Sequence, residues 1–149
     1  MLIGNKENMK QQKSIGRYIS YIHRNFHIQM HHELKQYHLG SGQFHLLMIL
    51  YKKDGVNQET IAEKLKIDKA TIARSVKKLE ENEYIIRMKD KQDRRNYNIY
   101  LTDKAKQLHP KIKQILKKWT KQLLLDFSEN EIIQLYSFLE RMEQNTTIQ

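Results

Sequence analysis

The sequence predicts a mainly α-helical chain with one small β-hairpin. Apolar residues recur at spacings of three and four through several separate stretches, which is helical periodicity. Two short runs rich in β-branched and aromatic residues flank a wholly polar octet, the pattern of a hairpin. With five glycines and one proline, the chain has no flexible linker, low-complexity segment or internal repeat, so its connections should be short.

A first helix is expected over about Lys13 to Tyr37, where Ile15, Tyr18, Ile19, Ile22, Phe26 and Met30 make one apolar stripe, and Gly40 ends it. Ser41 can cap a second helix, with Phe44, Leu47, Met48 and Tyr51 inward and a closing turn at Asp54-Gly55. Two short helices follow. Gln58 to Leu65 turns Ile61, Ala62 and Leu65 inward, and Lys69 to Asn82 does the same with Ile72, Val76 and Leu79. Between them Lys66-Ile67-Asp68 is a three-residue turn in which Asp68 can cap the next helix, a helix-turn-helix layout.

Tyr84 to Met88 and Tyr97 to Leu101 read as strands around the polar segment Lys89 to Asn96. In the second strand Tyr97, Ile99 and Leu101 share one face, and Asn98 and Tyr100 the other. The pair forms a wing beside the helix-turn-helix. Thr102-Asp103 starts a long helix reaching about Phe127, with Leu108, Ile112, Ile115, Leu116, Trp119 and Leu123 inward and Pro110 bending it. Ser128 and Glu131 form a capping box for a last helix carrying Ile132, Leu135, Tyr136, Leu139 and Met142. The chain therefore divides into a winged helix-turn-helix at 41–102 and a helical region made of 1–40 and 103–149.

Several functions are excluded. Without cysteine there is no disulfide, thiolate metal site or thiol redox chemistry. No glycine-rich phosphate loop and no nucleophile elbow is present, so neither an enzyme nor a cofactor is expected. The longest apolar runs, such as Phe44 to Tyr51, fall short of the roughly 20 residues that cross a bilayer, and Met1 to Asn5 lacks a signal layout. A cytoplasmic protein without a membrane partner is the expectation.

Lys and Arg number 27 against 17 Asp and Glu, a formal charge of +10 that suits a polyanionic partner. The excess does not extend to the last helix, because residues 126–149 carry 1 basic and 5 acidic side chains. On the second helix of the helix-turn-helix, Lys69, Ala70, Thr71, Arg74, Lys77 and Lys78 face outward. Arg74 can bond guanine bidentately, Thr71 can address a base, and Ala70 can pack on a thymine methyl. Lys77 and Lys78 suit phosphates, which supply affinity without sequence information. A solvated basic face would look similar on this helix alone. The wing tip is more pointed, since Arg94 and Arg95 beside Asp93 suit a narrow, strongly negative minor groove, and Asp93 can hold an arginine by a bidentate pair. These residues imply double-stranded DNA as the partner.

Asp93-Arg94-Arg95 followed by Leu101-Thr102 resembles the wing signature of the MarR family of bacterial and archaeal transcription regulators. Leu79-Glu80 before Ile85-Ile86-Arg87 is similar to the family's join between reading helix and wing. The resemblance implies that Arg95 enters the minor groove, Asp93 orients it and Arg94 lies near phosphate. Glu83 and Ala105 depart from the family, which usually has glycine at both places. A non-glycine at 83 should cost about 1 kcal/mol or move the cap to Asn82.

The resemblance further implies a homodimer joined through the first, fifth and last helices, binding a palindrome, usually as a repressor. The apolar Leu123, Leu124, Leu125 and Phe127 agree with such an interface. Release of DNA by a small aromatic or anionic effector is also implied, with Arg17, Tyr18, Tyr21, Tyr37 and His38 as candidates to hold it. Two alternatives stand beside this. A few relatives sense zinc, and His23, His27 and His31 follow i, i+4 spacing that suits the ion, although carboxylates are scarce nearby and no metal site is expected. A winged helix can also serve as a protein-interaction module, but such modules often lack the wing arginines and basic face kept here.

Overall fold

The computed structural model describes residues 14–147. Lys13 and Met1 to Asn5 lie outside them. The structure forms two compact units divided between Lys111 and Ile112.

In the first unit, helix α1 (Ile15–Leu34) begins at the Ser14 cap, whose hydroxyl accepts from the Arg17 amide. Met30 and Leu34 are buried, but Ile15, Tyr18, Ile19 and Ile22 are exposed, so the upper half of the expected stripe has no cover among the described residues. The helix does not run on to Tyr37. Its end tightens into a 3-10 turn, Lys35–Tyr37, which His38 closes in the left-handed conformation at φ 56°.

Gly40, expected as the stop, is instead the cap position of α2 (Ser41–Lys52), and Ser41, expected as the cap, is its first helical residue. The Gln43 side chain reaches back to accept from the Gly40 amide, the half of a capping box that does not depend on the cap residue's side chain. Phe44, Leu46, Leu47 and Leu50 are all buried, on more sides than one stripe, because α2 packs against α1 and the elements that follow. Each such side chain contributes about 1.5–3 kcal/mol by leaving water. Tyr51 lies flat on His109, with centroids 3.9 Å apart at 7°, and donates to the Ala105 carbonyl at 2.6 Å. Burial pushes its phenol up to about 12.

Gly55 turns at φ 73°, where a Cβ would come within 2.8 Å of the Tyr100 ring, so this position requires glycine. The chain then forms a short strand absent from the sequence expectation, β1 (Val56–Asn57), followed by α3 (Gln58–Leu65), capped by Asn57. Helix α4 (Lys69–Glu81) completes the helix-turn-helix. Strands β2 (Ile85–Lys89) and β3 (Tyr97–Leu101) pair with β1 in the antiparallel order β1-β3-β2. The expected hairpin is thus the larger part of a three-stranded sheet, with Val56 and Arg87 both opposite Ile99. Of the residues expected on one face of β3, Ile99 and Leu101 are buried and Tyr97 is exposed at the wing.

Helix α5 (Asp103–Leu123) continues through Pro110. The division between units falls inside it rather than at its start, consistent with the grip of Tyr51 on Ala105 and His109. In the second unit α5 stops at Leu123, short of the expected Phe127. Leu124 to Asp126 make a turn with Asp126 left-handed at φ 67°. The Ser128–Glu131 capping box then opens α6 (Glu129–Thr146) as expected. Leu125, Phe127, Ile133, Tyr136, Phe138 and Leu139 are exposed. Among the described residues no helix is long and apolar enough to cross a membrane.

Candidate nucleic-acid interface

The start of α4 is a short hydrogen-bonded relay. Asp68 Oδ1 accepts from the Thr71 amide at 2.8 Å, and its Oδ2 accepts from the Thr71 hydroxyl at 2.7 Å. Arg74 Nη2 donates in turn to that hydroxyl at 2.8 Å. The Thr71 hydroxyl and amide hold the Asp68 carboxyl below its ordinary range. The Thr71 hydroxyl, expected to address a base, is thus engaged within the protein as donor to Asp68 and acceptor from Arg74. It orients Arg74.

Ile72, Val76 and Leu79 anchor the inner side of α4, which leaves Lys69, Ala70, Arg74, Lys77 and Lys78 exposed on the outer one. Lys77 approaches Glu81 at 3.9 Å, one turn on, and Lys69 pairs with Glu59 of α3 at 2.9 Å.

The end of α4 shows why Glu83 is tolerated. Asn82 holds the cap position with φ −88°, and Glu83 takes the left-handed conformation at φ 59° where the family has glycine. The Tyr84 amide reaches Leu79 O at 2.9 Å and the Glu83 amide reaches Glu80 O at 3.0 Å, which is the Schellman arrangement. Thr102 then ties this corner to α5. Its hydroxyl donates to Glu83 O at 2.7 Å and its amide to Tyr84 O at 3.0 Å. Glu80 also receives Arg87 at both carboxylate oxygens, 3.2 and 2.7 Å, fastening α4 to β2. The Leu-Thr and Glu-to-Arg features noted in the sequence are thus the joints that set the wing against the reading helix. Ala105, the other departure from glycine, is fully buried in α5.

The wing tip is built by two aspartates. Asp90, in the polar segment between the strands, accepts from the Gln92 amide at 2.7 Å, the Asp93 amide at 3.2 Å and Asn98 Nδ2 at 2.9 Å. These bonds draw its carboxyl below the usual range. The Asp-x-Gln-Asp spacing of an Asx turn is the signal that identifies it. Asp93 accepts from the Arg95 amide at 3.1 Å and from Asn96 Nδ2 at 3.2 Å. It therefore shapes the backbone under Arg95 and does not grip a guanidinium, as the sequence had suggested. Arg94 and Arg95 are exposed.

The five expected effector residues do not converge within one chain. Arg17 lies near the Tyr18 ring at 5.9 Å at the start of α1, with Tyr21 one turn on. Tyr37 and His38 follow the helix's far end, about 30 Å away at 1.5 Å per residue. There Lys111 stands over the Tyr37 ring at 5.5 Å and Lys104 over the Tyr84 ring at 4.6 Å, beside a groove of about 180 Å³.

The histidine stripe is rearranged too. His23 and His27 meet at 2.9 Å through their Nε2 atoms, and His45 of α2, not His31, joins them, with its ring 5.6 Å from that of His27. Burial, followed by neighbouring imidazoles, lowers the affinity of His27 and His45 for protons. Among the described residues no group of three His, Asp or Glu is arranged to hold a metal ion.

A helix-turn-helix with a guanidinium-bearing outer face, fastened to an arginine-tipped three-stranded wing, defines a winged-helix DNA-binding protein. Comparison with known proteins agrees. The MarR family model matches residues 39–97. An uncharacterized HTH-type transcriptional regulator of Bacillus subtilis, YybA, is 31% identical over 113 residues, 76% of this chain and 75% of its own length. A MarR transcriptional regulator from Methanosarcina mazei superposes with a TM-score of 0.86 and 41% identity, covering 89% of this chain and 95% of its own. A MarR-family regulator from Listeria monocytogenes, solved with 26mer DNA, gives 0.83 and 33%, covering 90% and 89%. The chain belongs to the MarR family, whose members are DNA-binding transcriptional regulators and not enzymes.

Proposed function

We propose that this regulator is a homodimeric, cytoplasmic repressor that reads a palindromic operator and is released by a small aromatic or anionic ligand. Residues 41–102 are its DNA-binding domain, and residues 1–40 with 103–149 its dimerisation region. In this reading Arg74, held by the relay through Thr71, contacts a base pair in the major groove, with Ala70 beside it. Lys69, Lys77 and Lys78 face phosphates. Arg95 enters the minor groove, Asp93 fixes the turn that presents it, and Arg94 meets the adjacent backbone. The observation that carries the reading is the wing tip, where Asp90 and Asp93 spend their hydrogen bonds on a loop whose tip presents two exposed arginines.

Exposed apolar side chains on α1 and α6 support the dimer, because this much apolar surface suits a second copy. The lysine and tyrosine groove near Tyr37 suits an anionic aromatic ligand better than the separated Arg17 end does. Repression follows by occlusion of the promoter. A mobility-shift titration on the DNA upstream of the chain's own gene tests the proposal. Selective binding that weakens steeply with salt is expected, while binding insensitive to both sequence and salt would refute it.

A further inference from the structure

One carboxylate stands where a DNA backbone is expected. Glu59, the second residue of α3, places Oε1 2.9 Å from Nζ of Lys69, the first residue of α4. The two side chains are 59% and 77% exposed, so the pair is held by mutual attraction and not by packing. It borders a cleft of about 260 Å³ whose other walls include Asn57, Arg95, Asn96 and Tyr97. The cleft thus joins the start of the reading helix to the wing tip. On the DNA-contact reading above, a strand running from the major groove under α4 to the minor groove at the wing would cross it and bring a phosphate to Lys69. Among the described residues lining the cleft, Glu59 is the only acid.

We propose that Glu59 competes with the DNA phosphate for Lys69 and thereby sets the overall affinity of the protein for duplex DNA. The inference rests on the DNA-contact reading above. A phosphate that meets Lys69 must either displace Glu59 or share the ammonium with it, and in both cases it gains less than from a free lysine. Phosphates carry no sequence information, so the effect applies to operator and unrelated duplex alike. Glu59 separates affinity, which it lowers, from sequence preference, which it leaves to Arg74.

The test measures affinity as a function of salt for the full-length wild type, Glu59→Gln, Lys69→Gln and the double variant, on operator and on unrelated duplex. Glu59→Gln is expected to bind both duplexes about two- to fivefold more tightly at low salt. Its slope of log affinity against log salt should steepen, by at most about 0.9, as Lys69 engages its phosphate in full. In the Lys69→Gln background the gain should vanish. Glu59→Gln binding no tighter than a wild type that binds duplex would overturn this inference and leave the DNA reading intact. A gain that persists undiminished without Lys69 would overturn it equally. A wild type that binds no duplex would overturn both.

Discussion

Arg74 illustrates how a long, flexible surface side chain is held in place for contact. An unsupported arginine samples many rotamers and loses that freedom on binding, whereas the Asp68–Thr71–Arg74 relay prepays part of the ordering. Arg74→Ala is expected to cost about 1–3 kcal/mol of operator affinity and to relax preference at one base pair, measured by titrating single-base operator variants. Equal affinity for every variant before and after the change would remove Arg74 from the reading head. His27 and His45 act at the same scale on stability. Their lowered proton affinity means that the unfolded chain binds protons more readily near pH 6 than the folded one. Stability should therefore be complete above the ordinary histidine value of 6.5 and fall as pH drops through the lower folded values. Denaturant melts across this range on wild type and His45→Gln should show a shallower fall in the variant.

Among the elements, those with their own caps and periodicity were legible in the sequence. Helix α3 matches its expected bounds, α4 differs by one residue, and the Ser128–Glu131 box forms as expected. What stayed hidden depended on partners distant in the chain. Strand β1 is two residues long, too short to show alternation, and exists because Ile99 and Asn98 offer it an edge. Asp54 likewise looked like a turn residue, yet its carboxylate also accepts the Leu101 amide 47 positions away. The hydrogen bonds of Thr71 and Asp93 stayed hidden as well, because residue type does not reveal whether a hydroxyl or carboxylate is already engaged inside the protein. The left-handed Glu83 offers a test at this scale. Glu83→Gly should relieve the strain of a side chain at positive φ and raise stability by about 1 kcal/mol, read as an increase in melting temperature. No change, or a loss, would show that the corner tied by Thr102 carries no such strain.

At the scale of the molecule, the exposed apolar face of α1 and that of α6 are the features that one chain leaves unexplained. The sequence read them as helical stripes, and the structure adds that burial within the chain stops at Met30 on α1 and is slight on α6. Light scattering at micromolar concentration should give the mass of a dimer. A monomer would leave those faces without a role.

A reading helix and an arginine-tipped wing that together hold duplex DNA make a function that one titration series can check. Its most direct test is the affinity of wild type and Arg95→Ala for duplex DNA across a range of salt. Arg95→Ala should bind more weakly on every sequence tested, with a shallower salt dependence because a cationic contact has been lost. Unchanged affinity and an unchanged slope would contradict it.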